Sequence, residues 1–163
     1  MDQGSTIIGL IILALCIIPF IIIRRNKIKR ERLMLKSLTD LANLHNCKIN
    51  EHELCGDYAI GIDKLKNYLF FYKKMKDKET TQFINLESIN SCKILNSSRT
   101  IKNKQEKYHV IDRLSLSLKP NLEHKKEQIL EFFNSDYNSQ TYGELQSIEK
   151  WLKLVNLQLK LKS

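Results

Sequence analysis

The chain has little of what catalytic loops are usually made from. Its 163 residues include five glycines (Gly4, Gly9, Gly56, Gly61 and Gly143), two prolines and one tryptophan. Glycines so placed build neither a phosphate-cradling loop nor a dinucleotide-binding fingerprint. No His-Glu-x-x-His and no Gly-x-Ser-x-Gly occurs, which sets aside the zinc proteases and serine hydrolases that carry those motifs. Cysteine is scarce as well. Cys16 lies in an apolar run, and Cys47, Cys55 and Cys92 read as reduced thiols, so no structural disulfide is expected. No catalytic residue, cofactor or metal is assigned, and the reading leans away from an enzyme.

Charge is absent from a long stretch at the start. Thr6 to Ile23 carries none, and Gly4 to Ile23 makes 20 residues, about the number a helix needs to cross a hydrocarbon core of roughly 30 Å. The expectation is a transmembrane helix within 1–23. A cleaved signal peptide fits less well, because no positive charge precedes the run and the run exceeds a signal core of ~7–15 residues. Leu15 is too large for a lipoprotein cleavage box ahead of Cys16. A basic cluster follows: Arg24, Arg25, Lys27, Lys29, Arg30 and Arg32, with Glu31 the one acid inside it. Positive charge stays on the cytoplasmic side, so the expected placement is single-pass in the cell (inner) membrane, N-terminus outside and the rest cytoplasmic. The cluster is the expected membrane-interface site, facing anionic headgroups of the lipid bilayer.

The net charge is +9, and residues 1–36 hold seven basic against two acidic residues. Over half of the imbalance thus sits beside the apolar run, and no nucleic-acid partner is expected. Residues 24–46 form a basic juxtamembrane helix. It lacks Gly and Pro, and Met34, Leu38 and Leu41 recur at helical spacing with Leu35 and Ala42 beside them. Residues 47–163 suffice for one domain.

Within that domain, short β-branched and aromatic runs alternate with turns. Asp57–Asp63 and Tyr68–Lys73 read as a hairpin, with Lys64–Asn67 as its turn. Thr81–Leu86, Ile89–Leu95, Tyr108–Leu118 and Gln128–Phe133 read as strands, Cys47–Leu54 as an irregular one, and Asn96–Glu106 as a polar loop. A C-terminal amphipathic helix is expected over 140–162. Thr141-x-x-Glu144 is its candidate capping box, and Leu145, Ile148, Leu152, Val155 and Leu159 make one face with Trp151 beside it. The fold class is α+β.

Tyr58-Ala-Ile-Gly-Ile-Asp63, Leu69-Phe-Phe-Tyr72 and Phe83-Ile-Asn-Leu-Glu-Ser-Ile89, with strands preceding one Trp-bearing helix, resemble the pattern of bacterial pleckstrin-homology-like (PH-like) domains. The resemblance covers about residues 47–163. It implies an antiparallel half-open β-barrel of about six to seven strands capped by the helix, with a binding or scaffolding role. Lys73-Lys74-Met75-Lys76-Asp77-Lys78 lacks the Arg of the spaced phosphoinositide motif and falls in a later turn. The expected function is therefore a membrane-anchored protein-interaction or scaffolding module with an unidentified protein partner. The alternative is a small membrane-tethered enzyme or a lipid- or small-ligand-binding domain without a recognisable motif.

Two constellations have sharper readings. His45, Cys47, His52 and Cys55 contain zinc-ligand chemistry but not the usual two close pairs across a longer loop; small core thiols are the plainer reading. Asp112 is in phase with Tyr108, Val110 and Leu114 on an apolar face. It is either a carboxylate in a cleft with His109 and Tyr108, or the mark of a bulge or of pairing with Arg113 or a lysine.

Overall fold

In a computed structural model, residues 3–75, 78–102, 107–122, 126–138, 141 and 143–161 are described. Of residues 3–12, 14, 101–102 and 107–109 it describes the backbone alone. Helix α1 (Gln3–Leu44) runs through Pro19. It ends in a Schellman motif. Asn46 takes a left-handed φ of 55°, Asn46 N–H donates to the Asn43 carbonyl at 2.9 Å and Cys47 N–H to the Ala42 carbonyl at 2.9 Å. Asn tolerates this conformation better than most residues, and the two bonds satisfy carbonyls that the helix end leaves open.

The transmembrane helix is the first correction. Among the described residues, no helix is long and apolar enough to cross a membrane. The part of the run before Leu13 lies outside the described side chains. The described side chains of the run, Leu13 and Leu15 to Ile23, pass directly into the charged residues from Arg24. The single-pass, inner-membrane placement and its orientation rested on that span and lose their basis with it.

Two antiparallel sheets follow. The first has the order β1 (Glu51–Cys55), β2 (Tyr58–Asp63), β3 (Tyr68–Lys74), β4 (Glu79–Asn85). A short 3-10 turn, Leu86–Ser88, leads to the second: β5 (Ile89–Lys102), β6 (Lys107–Pro120), β7 (Gln128–Asn134). Helix α2 (Glu144–Leu161) closes the chain. The fold is therefore not a transmembrane helix followed by one half-open barrel. It consists of hydrogen-bonded sheets of four and three strands, with α1 laid on the outside of the first.

Register explains why β2 and β3 are buried on both faces. Pairing of Ile60 with Phe71 and of Ile62 with Leu69 sends these side chains inward. There they join Leu114, Leu116, Leu118, Leu130, Phe132, Ile148, Trp151 and Val155 in the main core. The alternate residues Ala59, Phe70 and Tyr72 face outward and meet Met34, Leu38 and Ala42 of α1 in a second core. Gly61 lets α1 approach: a Cβ there would lie 2.9 Å from Ile49 Cγ2 and 3.1 Å from Leu38 Cδ2.

Two boundaries move. The polar stretch expected to be a loop from Asn96 is strand to Lys102, paired with β6; the loop's residues 103–106 lie outside the described ones. Low β-propensity at Asn96-Ser97-Ser98 is overridden by a long partner strand. Helix α2 begins at Glu144, preceded by Gly143 at φ 110°, and Ser147 N–H donates to the Gly143 carbonyl at 2.9 Å. The Thr141 capping box is therefore not formed, since its Glu is already the first helical residue. Residues 140 and 162 lie outside the described ones.

Asp63 ties the end of α1 to the first hairpin. Its buried carboxylate accepts N–H groups from Lys48 at 2.8 Å and from Leu65 and Lys66 at 3.0 Å each. Burial alone would raise its pKa, but the backbone donors of Lys66, Lys48 and Leu65 outweigh it and hold the carboxyl below its ordinary value. A carboxyl depressed in the folded state stabilises above the unfolded pKa of about 3.9, and that contribution is lost as pH falls through the folded value. Asp63→Ala is expected to cost about 2–4 kcal/mol at neutral pH, the scale of buried donors left without a charged acceptor. Urea unfolding should show the difference from wild type narrowing below pH 4; a constant difference down to pH 2 would remove the carboxylate from this role.

Candidate binding cleft

Strand β3 carries its alternation one step further than the apolar residues do. Leu69 and Phe71 point into the main core, so Lys73 points the same way, and its side chain is 3% exposed. A buried ammonium needs partners. Its Nζ lies 3.2 Å from Glu131 Oε1 and 3.2 Å from the Glu131 carbonyl on β7, and 3.9 Å from Asp57 Oδ2. Lys73 thus joins the two sheets at one corner. Glu131 also receives Arg113 Nε at 3.4 Å and Asn134 Nδ2 at 3.1 Å.

Asp57 belongs to the tight turn between β1 and β2, where Gly56 has φ 56°. The left-handed backbone favours glycine there, and a Cβ would also displace the Glu144 carboxylate, which would lie 2.9 Å away. The Asp57 carbonyl accepts Lys74 N–H at 2.8 Å, which fixes the turn against β3. Asn138 Nδ2 donates to Asp57 Oδ2 at 3.4 Å. The other oxygen, Oδ1, is buried and has no hydrogen-bond partner among the described residues.

A cleft of about 540 Å³ opens beside Asp57. Arg30 of α1 and Lys74 and Lys78 around the β3–β4 loop supply positive charge, Asp136 negative charge, and Met75 and Tyr137 apolar surface. Lys74 is committed to Glu79, with Nζ 2.6 Å from Oε1; the pairing raises the Lys74 pKa and lowers that of Glu79. Asp136 also borders a more polar hollow of about 480 Å³ with Ser97, Arg99, Asp112 and Arg113.

The residues singled out from the sequence scatter. Arg24, Arg25, Lys27, Lys29, Arg30 and Arg32 are all exposed on α1. Lys27 Nζ stands 3.8 Å from Glu31, and of the cluster only Arg30 reaches the cleft beside Asp57. In the basic loop, residues 76 and 77 lie outside the described ones.

The zinc-type constellation is dispersed. The His45 ring stacks on Phe83 at 3.7 Å, His52 is exposed and Cys47 is buried. No group of three or more His, Cys, Asp or Glu able to hold a metal occurs among the described residues. All four cysteines are free. Burial pushes the Cys47 and Cys55 thiols up, and that of Cys92 up to about 12, so these three stay protonated and poorly nucleophilic at neutral pH.

Asp112 is the extra residue of a β-bulge, between Ser97 paired with Arg113 and Ser98 paired with Ile111. It accepts Arg99 Nε at 3.0 Å. The side chains of Tyr108 and His109 lie outside the described ones. Trp151 is fully buried, and its Nε1 donates to Glu53 Oε2 at 3.2 Å.

Sequence reasoning missed Lys73, Asp57 and Glu131 as a group. The phase of Lys73 with Leu69 and Phe71 was legible; the partners, 16 residues back and 58 ahead, were not.

Compared with protein-family models, with curated proteins and with solved structures, the chain matches none.

Proposed function

We propose that this chain is a protein-interaction or scaffolding module with PH-like character. The order of four strands, three strands and a covering C-terminal helix supports the PH-like part of this reading. The observation that carries the interaction role is on α1. Leu13, Leu15, Ile17, Ile18, Phe20, Ile21, Ile22 and Ile23 are 47–74% exposed. Folded monomers rarely leave more than a few hundred Å² of contiguous apolar surface open, and larger patches mark interaction sites. The same helix is pinned to the first sheet through Met34, Leu38 and Ala42, so whatever covers the apolar part is held to the domain.

The basic cluster supports a partner of complementary charge. Six cations directly follow the apolar residues, so a second copy aligned side by side would set like charges together. A protein offering apolar surface bordered by acidic side chains fits both features.

The test is the full-length chain against an Ile17→Ser/Phe20→Ser/Ile21→Ser variant. These side chains are exposed, so the melting temperature should stay within a few degrees of wild type. The expected result is a stoichiometric protein partner that reassembles from purified components, weakens as salt is raised, and binds the triple variant at least about tenfold more weakly. Unchanged binding by the triple variant, or binding by these residues to phospholipid vesicles alone, would overturn the reading.

A further inference from the structure

Each sheet ends in two edge strands, and an edge strand offers a row of unpaired N–H and C=O groups to any further strand. Three of these edges are occupied or broken. Along β1, Lys150 and Trp151 of α2 reach Glu53 at 2.8 and 3.2 Å. Helix α2 also lies on β5, where Asn156 Nδ2 donates to the Cys92 carbonyl at 3.5 Å, and the register of β5 with β6 is irregular. On β7 the Glu131 carbonyl is taken by Lys73 Nζ at 3.2 Å, and the register with β6 shifts between Leu114 and Ser115. The edge at β4 is different. Glu79–Asn85 pairs with β3 without a shift, and among the described residues no backbone hydrogen bond joins β4 to anything but β3. Edges are commonly blunted by Lys, Pro or a bulge. Strand β4 contains no Lys, Arg or Pro, and its single charge, Glu79, is paired with Lys74 at 2.6 Å. Phe83 stands 49% exposed on it, stacked on His45.

From this we infer that β4 pairs antiparallel with β4 of a second copy of this chain, about a two-fold axis at Gln82, joining the two four-stranded sheets into one. The strand is self-complementary in that register. Thr81 faces Phe83 of the second copy and Thr80 faces Ile84, each twice, while Gln82 faces Gln82 and Glu79 faces Asn85. Thr, Phe and Ile suit a pleated, half-buried surface, and no like charges stand opposite one another. A parallel pairing in register would set Glu79 against Glu79. The axis stands normal to the sheet, so the two α1 helices, on the same outer face, run in opposite directions. Arg30 lies by Lys74, at the Glu79 end of β4, so the two basic clusters fall at opposite ends of the joined sheet. The repulsion that opposes copies of α1 aligned side by side does not arise. Seven residues of strand bury less than a standard interface of about 1,600 Å², so the dimer is weak, with an expected Kd of about 10–100 µM. This inference goes beyond the reading of α1 and does not depend on it.

Sedimentation velocity of the full-length chain from about 5 µM to 1 mM should show a monomer–dimer equilibrium. Over the same range, amide hydrogen exchange at Glu79–Asn85 should slow as concentration rises. Two charged variants test the register. Thr81→Lys/Phe83→Lys and Thr81→Glu/Phe83→Glu each set like charges opposite one another twice, and each alone should dimerise at least about tenfold more weakly than wild type. An equimolar mixture of the two should form a heterodimer at least as tight as the wild-type dimer, because every Lys then faces a Glu.

The replaced side chains are exposed; should either variant not fold, the exchange measurement on the wild-type chain decides. A chain that stays monomeric to about 1 mM would overturn the inference and leave the β4 edge to an extended segment of another protein. So would a dimer whose β4 amides exchange as in the monomer, charged variants that dimerise like wild type, or a mixture that does not form the heterodimer. The Ile17→Ser/Phe20→Ser/Ile21→Ser variant should dimerise as wild type does. Loss of the dimer there would assign self-association to α1 and overturn this inference, whereas loss of a protein partner alone bears on the α1 reading, so the two fail separately.

Discussion

Replacing Lys73 by methionine is expected to destabilise the protein by about 3 kcal/mol, because it leaves two carboxylates in one corner without their shared cation. Methionine matches the length of the lysine stem, so the loss is one of charge and hydrogen bonding rather than of packing. Glu131 keeps Arg113 and Asn134 and is 27% exposed, so it is partly relieved by solvent. Asp57 is not, with its side chain 9% exposed. The estimate therefore sits at the lower end of the range of about 3–5 kcal/mol for breaking a buried pair.

The control is Lys73→Met together with Asp57→Asn. Removing both charges should recover more than half of the loss, since a buried pair replaced as a whole is often near neutral. Chemical denaturation of the single and double variants decides it. A single variant within about 0.5 kcal/mol of wild type, the usual range of an inconsequential surface change, would mean that Lys73 does not hold the sheets together.

Trp151→Ala is expected to cost more, about 3–5 kcal/mol, the range for truncating a buried aromatic to alanine. The side chain is fully buried where α2 meets both sheets. Against a total stability of about 5–15 kcal/mol, that loss should lower the melting temperature by roughly 10–20 °C. Trp151→Phe should cost less than half as much: it retains most of the apolar volume and loses the Nε1 donor to Glu53. Glu53 is held below its ordinary pKa: burial opposes ionisation, but Lys150 and Trp151 as donors outweigh it. Its contribution is thus present at neutral pH and lost as pH falls through its folded value. A Trp151→Ala variant melting within about 3 °C of wild type would show that α2 is not anchored through this residue.

Legibility in the sequence follows how local each signal is. The hairpin of β2 and β3 was readable because Ile60, Ile62, Leu69 and Phe71 alternate about a turn, and Asn67 supplies its left-handed residue, at φ 57°. The bulge at Asp112 was readable as a break of phase between Val110 and Leu114. The end of α1 was readable at Asn46. The start of α2 was not, because Thr141 and Glu144 satisfy a capping pattern that the backbone at Gly143 does not adopt.

By itself, then, the sequence determined most strand-forming segments, the apolar stripe Met34, Leu38 and Leu41 of the long helix with Leu35 and Ala42 beside it, and the covering face of α2, since each is a matter of period and neighbours a few residues apart. Only the tertiary structure decided which outer surface α1 covers, that Asn96–Lys102 pairs as strand, and that Leu13 and the apolar residues from Leu15 to Ile23 stand exposed beside a folded domain. It alone brought Asp57, Lys73 and Glu131 into one corner. The reason is physical: pairing and burial depend on contacts between distant parts of the chain, and a charge that reads as solvated in its own segment becomes buried once a second sheet closes over it.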